Sequence, residues 1–226
     1  MSRTIEEELC LLTGLDTVEE AVTKLGFLSG DVGLAKILVE VPWYRAGAET
    51  YVCRFSALGD DGSRNDLVAK ACIALTQSLS VERTLEEWVR RRSVLAGGGA
   101  ETPMLYAYGN GILIEEYIPL SIREAMAGAN DPDCIATSAA KSAAVVCATG
   151  FAPVAFFDDL RSRRNDAVII DFGADLGPCT TGHYAREKLT REFWDFLASL
   201  DYRQADAALR CFNECLDLCL ETRGHA

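Results

Sequence analysis

Positive charge is scarce in this chain: 22 lysines and arginines stand against 34 aspartates and glutamates, a formal net charge of -12. Nonspecific binding to nucleic acid or to an anionic membrane surface rests on basic patches, so neither is expected. No apolar run approaches the roughly 18 residues of a membrane span. The first ten residues, MSRTIEEELC, are acidic and lack the basic-then-apolar order of a secretory leader, so a cytoplasmic location is expected. Histidine is limited to His183 and His225, and no C-x-x-C pair occurs among the nine cysteines. The short-spaced ligand pairs of a structural zinc site are therefore missing. An odd number of cysteines in a reducing compartment reads as free thiols. Cys211, Cys215 and Cys219 fall at i, i+4 and i+8 on one helix face. That spacing would suit a thiolate metal site, but small apolar residues lining a buried face are the plainer reading.

With 226 residues, 49% hydrophobic and 25% charged, the chain is long enough for one domain or two small lobes with a sizeable core. Helical spacing over 4–26 predicts helix, broken near Gly14 and restarted with Asp16 or Thr17 as cap. Residues 36–58 carry two β-rich runs around Arg45-Ala46-Gly47 and predict a hairpin. After the polar turn 59–66, LVAKACIAL reads as a third strand. A helix capped at Ser80 follows and ends at the glycine run 97–99. Two strands joined by Gly109-Asn110-Gly111 come next. Beyond Ile118 the pattern turns helical, apart from PVAFFDD and DAVIIDF, which read as strands flanking the polar turn LRSRRN. The class is α+β, with a helical extension over 1–30, a β-rich segment over 31–118 and a mainly helical segment over 119–226.

Three motifs carry chemistry. Asp171-Phe172-Gly173 follows the apolar run Ala167–Ile170, and a carboxylate at the end of a buried strand is costly unless it binds something. A strand-end turn capped by Asp171 is the plainer alternative. Lys70 sits in Val68-Ala69-Lys70, and a lysine in an apolar strand loses hydration unless an anion meets it. The helix that follows offers Glu82, Glu86 and Glu87. The third motif is Ile112-Leu113-Ile114-Glu115-Glu116-Tyr117-Ile118-Pro119, an apolar strand ending in Glu-Tyr-Ile.

In this order and spacing the motifs resemble the protein-kinase-like superfamily, nearer its aminoglycoside and small-molecule phosphotransferase branch. The resemblance covers about residues 36–177. It implies a bilobal fold, with a five-stranded β N-lobe and a reduced helical C-lobe, and it implies ATP and Mg²⁺. By that resemblance Lys70 holds nucleotide phosphates, and Glu87 orients Lys70, with Glu82 and Glu86 as alternatives. Glu116 and Ile118 offer backbone groups to the adenine edge, and Asp171 holds Mg²⁺.

The chain departs from the pattern twice. The phosphate-covering loop lacks G-x-G-x-x-G and has only Tyr44–Thr50, where backbone N–H groups from Gly47 onward would face phosphates. The catalytic His-Arg-Asp or His-Gly-Asp triplet is absent: Phe151-Ala152-Pro153 stands in its place, and the metal-binding asparagine position falls on Asp158. Asp158 and Asp159 are the only acids between Gly150 and Arg164. Either would serve as second metal ligand or base, or both are plain turn acids. Arg161, Arg163 and Arg164 add positive charge there. The leading expectation is an ATP- and Mg²⁺-dependent phosphotransferase acting on a small-molecule or protein acceptor. The alternative is a pseudokinase that binds nucleotide, or only a protein partner, as a scaffold. A third reading takes the motifs as coincidence in an unrelated α+β binding domain.

Overall fold

A computed structural model describes residues 4–14, 17–24, 34–46, 50–73, 81–128, 132–173, 176–178, 182–200 and 205–224. The chain is mixed α+β and divides into two compact units, Met1–Val89 with Pro103–Tyr117, and Arg90–Thr102 with Ile118–Ala226. No helix among the described residues is long and apolar enough to cross a membrane.

The first unit begins with α1 (Ile5–Thr13) and α2 (Val18–Lys24). Thr4 and Glu7 form a reciprocal capping box at the start of α1, and Gly14 ends it in the left-handed conformation at φ 69°. Of the two expected caps for α2, Thr17 fills the role, its Oγ1 accepting from Glu20 N at 3.1 Å; Asp16 lies outside the described residues. Five strands follow: β1 (Leu34–Ala46), β2 (Thr50–Gly59), β3 (Arg64–Cys72), β4 (Leu105–Gly109) and β5 (Ile112–Glu116). They form an antiparallel sheet in the order β1-β2-β3-β5-β4. The expected hairpin between β4 and β5 is present. Its two-residue loop has Asn110 at φ 49° and Gly111 at φ 75°, the positive-φ pair that matches strand twist.

Strand alternation divides the residues of this sheet between two faces. One face sends Tyr51, Cys53, Phe55, Leu67, Ala69, Ile112 and Ile114 into a core shared with Leu9 of α1 and Val18, Ala21 and Val22 of α2. The Tyr51 hydroxyl donates to the Glu8 carboxylate and ties α1 to β2. The opposite face carries the polar residues Arg54, Ser56, Asp66, Lys70 and Glu115 among the buried Val68 and Leu113, and the single Ser56 hydroxyl proton is shared between Asp66 Oδ1 at 2.8 Å and Glu40 Oε1 at 3.0 Å.

The second unit contains the end of α3 (Val81–Gly97), then β6 (Leu120–Ser121), α4 (Ile122–Gly128), α5 (Pro132–Ala148), β7 (Phe151–Pro153), α6 (Phe156–Asp159), β8 (Leu160–Arg163), β9 (Asp166–Ile169), β10 (Leu176–Pro178), α7 (Gly182–Ser199) and α8 (Ala205–Gly224). The expected N-cap of α3, Ser80, lies outside the described residues. Helix α5 is buried along Ala136, Ala139, Ala140, Ala143 and Ala144 and packs against α8 and β9. Small side chains let those elements approach closely. Strand β9 is fastened to it twice: Ala167 N donates to Ser138 Oγ at 2.9 Å, and Ser142 Oγ donates to Ala167 O at 3.2 Å.

Two expectations are corrected in this unit. PVAFFDD is not one strand. Only Phe151–Pro153 is extended, paired with β10, and Phe156–Asp159 form a single helical turn. Phe156 and Phe157 are both buried, and adjacent strand residues point to opposite faces, whereas a helical turn brings both inward. Phe157 joins a ring cluster with Phe193, Phe196 and Phe212. LRSRRN is not a polar turn either. Its first four residues are β8, the central strand of the sheet β6-β8-β9, with Leu160 and Ser162 buried and Arg161 and Arg163 turned outward. The charged residues hid a period-2 pattern. The turn is confined to Arg164-Asn165, with Arg164 at φ 62°.

Candidate functional site

In the first unit, the β3–β5 register puts Lys70 opposite Leu113 and Val68 opposite Glu115. Lys70 and Glu115 are thus diagonal neighbours on the polar face, within reach of long side chains. Lys70 Nζ lies 2.7 Å from Glu115 Oε1, with side-chain exposures of 16% and 1%. Glu115 Oε2 is buried without a hydrogen-bond partner. A carboxylate taken this far from water needs a cation, and Lys70 supplies it. Sequence reasoning passed over Glu115 and sought the partner on α3. The available signal was the alternation of β5, which sends Ile112 and Ile114 to one face and Leu113 and Glu115 to the other.

On α3, Glu87 is half-buried between buried Leu85 and Trp88, and Glu86 is exposed; the Glu82 side chain lies outside the described residues. Glu116 folds back on β4: its N–H donates to Met104 O at 2.9 Å and its Oε2 accepts from Met104 N at 3.1 Å. Ile118 is buried. Tyr117 N donates to Asp66 O at 2.9 Å, and the Tyr117 ring lies under the Arg54 guanidinium. Gly47, expected at the phosphates, lies outside the described residues.

In the second unit, Asp171 follows β9 and is half-buried, and its Oδ1 accepts from Gly173 N at 2.8 Å. The carboxylate therefore caps the turn that redirects the chain after the strand. One oxygen accepts that bond, and a second remains on the carboxylate. Arg91, at the end of the Glu87-Trp88-x-x-Arg91 string, donates to the carbonyls of Phe172 and Gly173. This hold on the Asp-Phe-Gly segment was not anticipated. Its trace in the sequence is a run of three arginines, 90–92, on an otherwise half-buried helix.

Asp171 and Asp159 line the same small cavity, about 20 Å³, whose other walls include Pro153, Phe156, Ile169 and Leu176. That volume holds about one water or one small ion. Asp159 and Asp171 are the two acidic residues on its otherwise apolar lining, and carboxylate oxygens are hard donors of the kind Mg²⁺ takes; among the described residues no group of three or more potential metal ligands comes together. Asp158 turns elsewhere. It is 65% exposed and pairs with Arg123 at 3.0 Å, beside a separate cavity of about 270 Å³ that also meets Glu192, Asp195 and Ser199. Arg123 in turn donates to Ser199 Oγ at 2.7 Å and lies over the Phe196 ring.

Pro153, where the resemblance would put the base, is paired in β7 with Leu176, and its carbonyl accepts from the Lys188 ammonium. Lys188 also meets Glu192 at 2.6 Å. Of the three arginines after β8 begins, Arg163 pairs with Glu101 at 2.6 Å. His183 falls in the first turn of α7, with its side chain outside the described residues, as His225 is altogether. Cys211 of α8 lies 3.2 Å from Thr137 Oγ1 of α5, and the Cys219 side chain lies outside the described residues.

No protein-family model matches the chain. A comparison with curated proteins likewise returns no match.

Proposed function

We propose that the chain is an ATP- and Mg²⁺-dependent phosphotransferase of the protein-kinase-like type, acting on a small-molecule or protein acceptor. The observation that carries this reading is that Asp159 and Asp171 line one cavity: the Asp-Phe-Gly aspartate shares it with a second acidic residue of the same unit. The element order supports it too, with five antiparallel strands, a helix inserted before the fourth, and a Glu-Tyr-Ile strand end. The lysine on the polar face, held by a buried anion, adds further support.

In this reading Lys70 supplies the fixed cation for nucleotide phosphates. Asp171 and Asp159 would hold Mg²⁺, which neutralises phosphate charge when bound. Asp159 doubles as the candidate proton acceptor for the attacking hydroxyl. Arg91 keeps the Phe172 and Gly173 carbonyls fixed, so the Asp171 carboxylate holds its position. Such catalysis is mostly positioning and charge stabilisation.

The second reading, a nucleotide-binding pseudokinase scaffold, is favoured by one observation: Pro153 occupies the base position and its carbonyl is engaged by Lys188. Calorimetry with MgATP tests the shared premise. Wild type is expected to bind, Asp171→Ala to lose binding, and Lys70→Ala to weaken it. A folded wild type that binds no MgATP overturns both nucleotide readings. Binding without turnover on a broad acceptor panel selects the scaffold.

A further inference from the structure

We infer that Glu115, a residue of the same sheet as Lys70, is the positioning residue that holds the Lys70 ammonium for phosphate binding; the inference rests on the nucleotide-binding reading above. Both side chains leave the polar face of the sheet, and their backbones are fixed by the β3–β5 ladder in one register. The separation of 2.7 Å is that of a charge-assisted hydrogen bond. Glu115 is 1% exposed, so its charge cannot be met by solvent, and its second oxygen has no donor. The carboxylate therefore depends on Lys70. A glutamate carried on a neighbouring helix moves when the helix moves. Glu115 moves only with the sheet that carries Lys70, so this arrangement keeps the ammonium at a constant height above the strands.

MgATP affinity measured in a double-mutant cycle tests this, with thermal stability followed alongside. Glu115→Gln keeps the shape and removes the charge; its Kd is expected to rise about tenfold, within the range of coupled neighbours. In the Lys70→Met background the same change should add little. Glu115→Asp, which keeps the charge on a shorter arm and protects the fold, should fall between wild type and Glu115→Gln. A merely structural role would lower the melting temperature of the Glu115 variants without any affinity change that depends on Lys70. Wild-type affinity in Glu115→Gln, or an equal loss with and without Lys70, overturns the assignment while leaving nucleotide binding intact. A tenfold loss in Glu87→Gln with none in Glu115→Gln returns the role to α3. Absence of MgATP binding in wild type removes this assignment together with the reading beneath it.

Discussion

Asp158 and Asp159 are neighbours in sequence and part company by one helical step. Because they sit on a helical turn and not on an extended strand, one faces Arg123 and solvent while the other reaches the cavity of Asp171. Counting back from Asp-Phe-Gly lands on Asp158; of the two acids it is Asp159 that lines the cavity of Asp171. If the wild type turns over ATP, Asp159→Asn is expected to lower the rate by about 10²–10⁴, the usual worth of general-base assistance. Asp158→Asn should leave turnover within a few-fold and cost at most about 1 kcal/mol of stability, since its ion pair is exposed. Steady-state ATP turnover and denaturant melts on the two variants check this, and the reverse ranking would reinstate Asp158. The residues themselves were legible. Which of the two shares a cavity with Asp171 was not, because that depends on Phe156 and Phe157 both turning inward.

At the scale of elements, the boundaries read from local chemistry held where the signal was local. The capping residue at Thr17, the Asn110-Gly111 loop and the glycine stop after α3 each depend on the backbone of a few residues. The stop has a packing side as well. A Cβ on Gly98 would lie 2.7 Å from Val145 Cγ1 and 3.1 Å from the Leu95 carbonyl oxygen. Gly98→Ala is therefore expected to destabilise by about 1–3 kcal/mol, as overpacking does, and urea melts measure it. Coupling to Val145→Ala should recover part of the loss, and a neutral Gly98→Ala would show that α3 and α5 separate freely here. Elements whose signal was not local were misread. The outward arginines of β8 look like loop until β6 and β9 flank the strand and its alternation acquires an inside.

At the scale of the molecule, the cysteines sort by burial. Among the described residues Cys10 and Cys134 are exposed, and Cys53, Cys72 and Cys147 are buried. Burial, with a smaller contribution from the Glu19 charge, pushes the Cys53 thiol up to about 12. Since the thiolate is the reactive form, a maleimide at neutral pH is expected to label Cys10 and Cys134 first. Cys53 should react only after denaturation. Mass spectrometry of timed samples checks the order, and early labelling of Cys53 would contradict the burial of the β2 core face.

The sequence by itself determined the α+β class and the order of elements through the five-stranded sheet, because periodicity, caps and turns act over a few residues. It also placed Lys70 in a strand and Asp171 at a strand end. Only the tertiary structure decided the partners. Lys70 meets Glu115 because two strands 45 residues apart pair in one register. Asp171 and Asp159 line one cavity because β7, α6 and β9 close on it. Arg91 meets the carbonyls of Phe172 and Gly173 across a gap of 81 residues or more in sequence. These are long-range contacts between charged or polar groups, and no local pattern encodes which carboxylate a given cation will reach.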